Sequence, residues 1–140
     1  MIEFFIPQEP RGKGSVRASV VGGHARAYQD AKSRSYEAVA AFFAREAMSG
    51  RPPLENDVCV DLVAHMGIPT SWSARKRSAA LAGAVRPVRR PDLSNVAKSV
   101  EDSMNGIVFR DDALIVRLVV AKVFSETPGV AVTVREWVPA

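Results

Sequence analysis

The stretch that decides the fold is Asp57-Val58-Cys59-Val60-Asp61-Leu62-Val63-Ala64-His65-Met66. Val58, Val60, Leu62, Ala64 and Met66 fall on one face, while Asp57, Cys59, Asp61, Val63 and His65 fall on the other. A period of two sustained over such a run is the pattern of a strand with one buried side. Gly67 and Pro69 close it. A strand of this kind needs neighbouring strands and a layer of helices over its apolar face. The segments on either side must supply them.

Upstream, Ile2, Phe4 and Ile6 alternate before Pro7 ends the run, which predicts a first strand. From Arg11 to Gly23 the chain is basic and glycine-rich and reads either as a flexible arm or as a hairpin closed near Gly22-Gly23. Asp30 is the expected N-cap of a helix over residues 31 to 49, whose Tyr36, Val39, Ala40, Phe43 and Ala47 form an apolar stripe before Gly50 and two prolines. Downstream, a short helix is expected from Ser73 to about Leu81, then an arginine-rich loop from Gly83 to Arg90. A second main helix should start at Asp92 as N-cap and run to about Asn105, with Gly106 as its stop. Strands over 114 to 124 and 130 to 137 follow, joined near Pro128-Gly129. This order predicts an α+β fold, a single domain over residues 1 to 140 with a mixed β-sheet packed against two main helices.

The composition agrees. A chain of 140 residues, 47% hydrophobic and 24% charged, can bury one core. No stretch approaches the roughly 18 consecutive apolar residues of a membrane span, and no secretory h-region follows Met1. A single cysteine, Cys59, excludes an internal disulfide and a cysteine-based zinc site, in keeping with a reducing compartment. The expectation is a soluble, cytoplasmic protein with no membrane partner.

The net charge of +4 is strongly clustered. Residues 11 to 34 carry Arg11, Lys13, Arg17, Arg26, Lys32 and Arg34 against Asp30, and residues 71 to 98 carry Arg75, Lys76, Arg77, Arg86, Arg89, Arg90 and Lys98 against Asp92. The two segments are thus +5 and +6, leaving −7 for the remainder. Clustering of this sort is the footprint of a polyanion site, because Lys and Arg on phosphates release counterions.

The densest polar set runs from Arg89 through Pro91-Asp92-Leu93-Ser94-Asn95-Val96-Ala97-Lys98 to Asp102, with Asp111-Asp112 after Asn105-Gly106. At about 100° per residue, Leu93, Val96, Ala97, Val100 and Met104 share one arc of the helix, and Asp92, Asn95, Lys98, Ser99 and Asp102 share the opposite one. Asp111-Asp112 precede a strand. Should Asp92 converge with them, their carboxylates make a hard oxygen site suited to Mg²⁺, with Mn²⁺ as the alternative. A basic surface beside such a site suits phosphodiester hydrolysis, with Lys98 stabilising developing negative charge. Each residue also has a local reading: Asp92 as a helix cap, Asp111-Asp112 as a turn, Lys98 and Asp102 as an i,i+4 surface pair.

The string Pro91-Asp92-Leu93-Ser94-Asn95-Val96-Ala97-Lys98, then Glu101-Asp102-Ser103-Met104-Asn105-Gly106, then Asp111-Asp112-Ala113 resembles the signature of the RusA family of Holliday junction resolvases. Phe5-Ile6-Pro7 with Gly12-Lys13-Gly14, and Trp72-Ser73 to Leu81-Ala82-Gly83, resemble its phage-type members. The resemblance implies a homodimeric, Mg²⁺-dependent endonuclease that resolves four-way junction DNA by paired symmetric nicks, often encoded on prophages. On that likeness Asp92 matches the first aspartate of the Asp-x-Asp-Asn motif, Asn95 its asparagine, Lys98 the catalytic-site lysine and Asp112 the later acidic residue, with Asp111 beside it. Asp92, Asp111 and Asp112 are the expected metal ligands, Asp92, Asp112 and Lys98 the expected catalytic groups. Lys13, Arg17, Arg86, Arg89, Arg90 and Asn95 are the expected DNA contacts. Ser94 departs from the pattern, standing where well-known members have a second aspartate. Either Asp92, Asp111 and Asp112 suffice, or Asp102 contributes, or the chain is a non-catalytic protein that binds four-way junctions and has lost cleavage. Two copies related by a twofold axis match the near-twofold symmetry of such a junction.

Other signals lead elsewhere. Arg11-Gly12-Lys13-Gly14-Ser15 lacks the Gly-x-x-x-x-Gly-Lys spacing of a phosphate loop, so no nucleotide cofactor is expected. His24 and His65 have no partner at ligand spacing. Trp72 offers a stacking face but more readily anchors its short helix, and Phe42, Phe43, Phe124 and Trp137 read as core or dimer-interface residues.

Overall fold

The structure, a computed structural model, describes residues 1–12 and 31–139 with their side chains and the backbone of 17–21 and 24–28. In chain order the elements are β1 (Ile2–Ile6), β2 (Arg17–Val21), β3 (His24–Tyr28), α1 (Ala31–Met48), β4 (Val58–Gly67), α2 (Ala74–Leu81), α3 (Leu93–Met104), a 3₁₀ turn (Asp112–Leu114), β5 (Ile115–Ser125) and β6 (Gly129–Glu136). The four-stranded sheet has the order β1-β6-β4-β5. β1 and β4 run antiparallel to β6, and β5 runs parallel to β4. The sheet is therefore mixed and the fold α+β, as the sequence predicts.

β4 carries the pattern that singled it out. Val58, Val60, Leu62, Ala64 and Met66 are buried, while Asp61, Val63 and His65 are half-buried on the opposite face; Cys59, on that face, is buried with a free thiol. Their row neighbours on β6, Val134, Val132 and Val130, are buried too. α1 and α3 cover this face with Tyr36, Ala40, Ala44 and Met48 from one helix and Val96, Ala97, Val100 and Met104 from the other, and Val108 and Phe109 close the end. Burying each large side chain fully is worth roughly 1.5–3 kcal/mol. A smaller cluster of Met66, Ile68, Ala80 and Phe124 seats α2 near the carboxyl end of β4 and β5.

Ser73 caps α2, its hydroxyl accepting from Lys76 N at 3.2 Å. Ser49 and Gly50, at φ 50° and 76°, stop α1 where the chain enters the left-handed region. Residues 17–21 and 24–28 form a ribbon, β2 paired antiparallel with β3, so the hairpin alternative holds for those strands. Gly22-Gly23 and the proposed cap Asp30 lie outside the described residues.

Three placements refine the expectations. The apolar stripe of α1 runs through Ser33, Tyr36, Ala40, Ala44 and Met48, so Phe43 is half-buried and Phe42 is 54% exposed. Trp137 is likewise partly exposed, whereas Phe124 is core. Ser99 does not belong to the polar row of α3; it is buried with Ser103, whose Oγ donates to Ser99 O at 2.8 Å. A serine that satisfies its hydroxyl on the helix backbone fits a closely packed face as alanine does.

Candidate functional site

α3 begins where the arginine-rich loop ends. Asp92 has the extended N-cap conformation, φ −67° and ψ 145°, yet its side chain makes no capping hydrogen bond. The carboxylate faces out of the helix, with an Arg90 guanidinium nitrogen 3.9 Å away. The cap reading is thus half right: the backbone caps and the carboxylate is left over for other work. An open cleft of about 340 Å³ lies in front, lined by Pro10, Arg11, Gly12, Arg90, Pro91, Asp92 and Asn95. Gly12 is there because nothing larger fits: a Cβ would stand 2.9 Å from Asn95 Cβ and 3.2 Å from Pro91 Cβ.

Further along the same helix, Lys98 Nζ lies 3.1 Å from Asp102 Oδ1 and 3.5 Å from Asp112 Oδ2. The first contact is the expected i,i+4 pair. The second joins the helix to the turn preceding β5 and could not be placed from the sequence. Asp102, first, and Asp112 together raise the Lys98 pKa above the usual lysine value, keeping the ammonium charged. Glu101 sits half-buried beside them, and desolvation, reinforced by the charges of Asp112 and Asp102, pushes its carboxyl up against the lowering influence of Lys98.

Asp92, Asp111 and Asp112 are not gathered into one ready-made cluster. Asp112 meets α3 at Lys98, six residues and about 9 Å of helix rise beyond Asp92. Asp111 Oδ2 accepts from Ala113 N at 3.2 Å, so it caps the 3₁₀ turn. Among the described residues no three His, Cys, Asp or Glu side chains come together in a group that could hold a metal ion. The donor chemistry is nevertheless that of a hard cation: carboxylate oxygens in a polar row, with no thiolate and no imidazole.

The cationic residues divide. Arg90 is almost fully exposed beside Asp92. Arg89 is held, Nη2 donating to Gly67 O at 2.8 Å and lying 3.4 Å from Glu9 Oε1. Arg86 is exposed next to a different hollow, lined by Trp72, Lys76, Val88 and Phe124. There Trp72 packs edge-on against Phe124 at 5.1 Å with Lys76 Nζ over its ring at 4.0 Å, which is the anchoring role. Asn95 is exposed in the cleft, Lys13 lies outside the described residues, and Arg17 is described by its backbone in β2. Sequence reasoning missed Lys122: from β5 its Nζ donates to Arg89 O at 2.8 Å and Pro91 O at 3.2 Å. Nothing local signals a lysine in a strand gripping a loop thirty residues back.

With this geometry in view, comparison with known families is decisive. The chain matches the family Endodeoxyribonuclease RusA over residues 7–135. It belongs to that family. The RusA match covers the three helices, β4, β5 and all but the last residue of β6, with β1 outside it, and the family is one of endodeoxyribonucleases, so a nuclease in general is the class to which this chain is assigned. It is also similar to a Bacillus subtilis (strain 168) protein named "Uncharacterized protein YqaN", 32% identical over 139 residues, covering 96% of each chain. Among the described residues no helix is long and apolar enough to cross a membrane.

Proposed function

We propose that this RusA-family protein is a divalent-metal-dependent, structure-selective endodeoxyribonuclease that resolves Holliday junctions by paired symmetric nicks, acting as a homodimer on four-way junction DNA. The observation that carries this reading is Lys98 between Asp102 and Asp112, on the helix that opens at Asp92, whose carboxylate makes no capping hydrogen bond. That row lies beside a cleft bearing Arg11, Arg90 and Asn95.

Asp92 and Asp112 would hold Mg²⁺ or Mn²⁺, the free oxygen of Asp111 being the next candidate. When bound, the ion supplies neutralisation of phosphate charge and a more acidic water, and takes its remaining ligands from phosphate and solvent. The chain's own groups do the rest. The Lys98 ammonium offers a fixed positive charge to the oxygens that gain negative charge in the transition state. Arg90 and Asn95 hold the backbone of the cut strand, and Lys13, Arg17 and Arg86 follow phosphates further out. Twofold pairing of two such sites would place nicks at equivalent positions on opposing strands.

Ser94 favours a second reading. It is exposed in the first turn of α3 with no acidic residue in that turn, and a hydroxyl is a poor substitute for a carboxylate ligand. On that reading the protein binds four-way junctions with strong salt dependence and does not cut them. A synthetic four-way junction and a matched linear duplex, each with and without Mg²⁺, distinguish the two. Symmetric junction-specific nicks that require Mg²⁺ and vanish in Asp112→Asn support the nuclease; tight binding without nicks in Mg²⁺ or Mn²⁺ supports the binder.

A further inference from the structure

We infer that Lys122 is a positioning residue that fixes Asp92 relative to Asp112. The inference rests on the reading above, in which both carboxylates bear on the chemistry. Lys122 lies near the carboxyl end of β5, paired in register with buried Ala64 of β4. Its ammonium has three donors, and two of them go to backbone carbonyls, Arg89 O at 2.8 Å and Pro91 O at 3.2 Å. Those carbonyls flank Arg90 and end directly before Asp92. Hydrogen bonds from a charged donor are about twice as strong as neutral ones.

A second tether holds the same three residues from the other strand. Arg89 Nη2 donates to Gly67 O, the last residue of β4, and Glu9 Oε1 accepts from Gly67 N at 3.1 Å while lying 3.4 Å from Arg89. Residues 89–91 are thereby pinned to the ends of both parallel strands. Arg90, between the pins, is left to face the cleft. Asp112 leads into the amino end of β5, and Lys122 grips the Asp92 loop from the other part of the same strand. One strand therefore carries both carboxylates in a fixed relation. Reacting groups displaced by about 1 Å can lose roughly 10²-fold in rate, so such a tie has a catalytic consequence although Lys122 need touch no substrate.

Lys122→Met keeps the aliphatic stem and deletes the donors; Lys122→Arg keeps a cationic donor. Both are compared with wild type for single-turnover nicking of a four-way junction, junction affinity in EDTA at several salt concentrations, and amide hydrogen exchange. Lys122→Met should lower the single-turnover rate by about 10²-fold while affinity and its salt slope stay near wild type, and Lys122→Arg should recover much of the rate. Exchange should quicken at residues 90–96 and not across the sheet. An unchanged rate in Lys122→Met overturns the inference, as does a salt slope smaller by about 0.9, which would make Lys122 a phosphate contact. If wild type makes no nicks, the nuclease reading fails by itself, and the exchange comparison still decides the clamp: unchanged exchange at 90–96 overturns it.

Discussion

Lys98 and Asp112, fourteen residues apart in the chain, stand 3.5 Å from each other across the junction of α3 and the turn that starts β5. This contact turns a surface lysine into a charge held at a defined place. Lys98→Met should lower single-turnover nicking by about 10²–10³-fold, the usual loss when one stabilising group is removed from a developing charge, with junction binding little altered. Rapid-quench cleavage with labelled junctions reads this directly; a loss confined to binding would reassign Lys98 to phosphate contact.

Ser94→Asp restores a carboxylate to the first turn of α3, which has none. The helix macrodipole favours it there by about 0.3–1 kcal/mol, so the variant should melt slightly higher. It should also lower the Mg²⁺ concentration for half-maximal nicking by about tenfold, as added ligand charge does at hard-cation sites. No change in metal requirement would show that position 94 lies outside the ligand set.

Glu101 gives a stability test with a definite sign. Its folded pKa is raised, chiefly by desolvation. Its contribution to stability is therefore fully present below the ordinary glutamate range and is lost as pH rises through the folded value. Glu101→Gln cannot ionise, so relative to wild type it should gain stability between about pH 4 and pH 7. Urea midpoints of the two proteins at both pH values measure it, and a constant difference would contradict the assignment.

Gly129 opens β6 next to Val130, which pairs with Ile6 at the end of β1. A Cβ there would fall into the Phe5 ring and against Ile6 O, with the Phe5 ring itself reaching to within 5.9 Å of His65. Gly129→Ala should destabilise by about 1–3 kcal/mol, the range for overpacking. Trimming the ring in a Phe5→Ala, Gly129→Ala pair should return part of that loss, seen as non-additivity in denaturant unfolding.

Period and punctuation made the elements legible. β4 announces itself by alternation, α3 by its apolar arc and the stop at Gly106, and α2 by Ser73, because each signal lives within ten or so residues. The candidate site could be named from the sequence as residues and not as an arrangement. Lys98 to Asp102 follows from helical spacing, whereas Lys98 to Asp112, Lys122 to Pro91 and Arg89 to Glu9 depend on how elements cross. Hydrophobicity also misleads at its margins: small Ser99 and Ser103 are buried because their size suits close helix packing, while Phe42 remains largely outside.

β5 spans the distance from the turn bearing Asp112 to the lysine that grips the Asp92 loop, and it sits at the edge of the sheet in parallel register with β4 apart from one irregularity near Val58 and Cys59. The strand works as a caliper. A deletion of one residue between Ile115 and Lys122 would draw its jaws together by about 3.3 Å and turn Lys122 to the far face, disabling the site while every residue in it remained unchanged. The spacing of β5 is thus as much a part of the site as the acids that it separates.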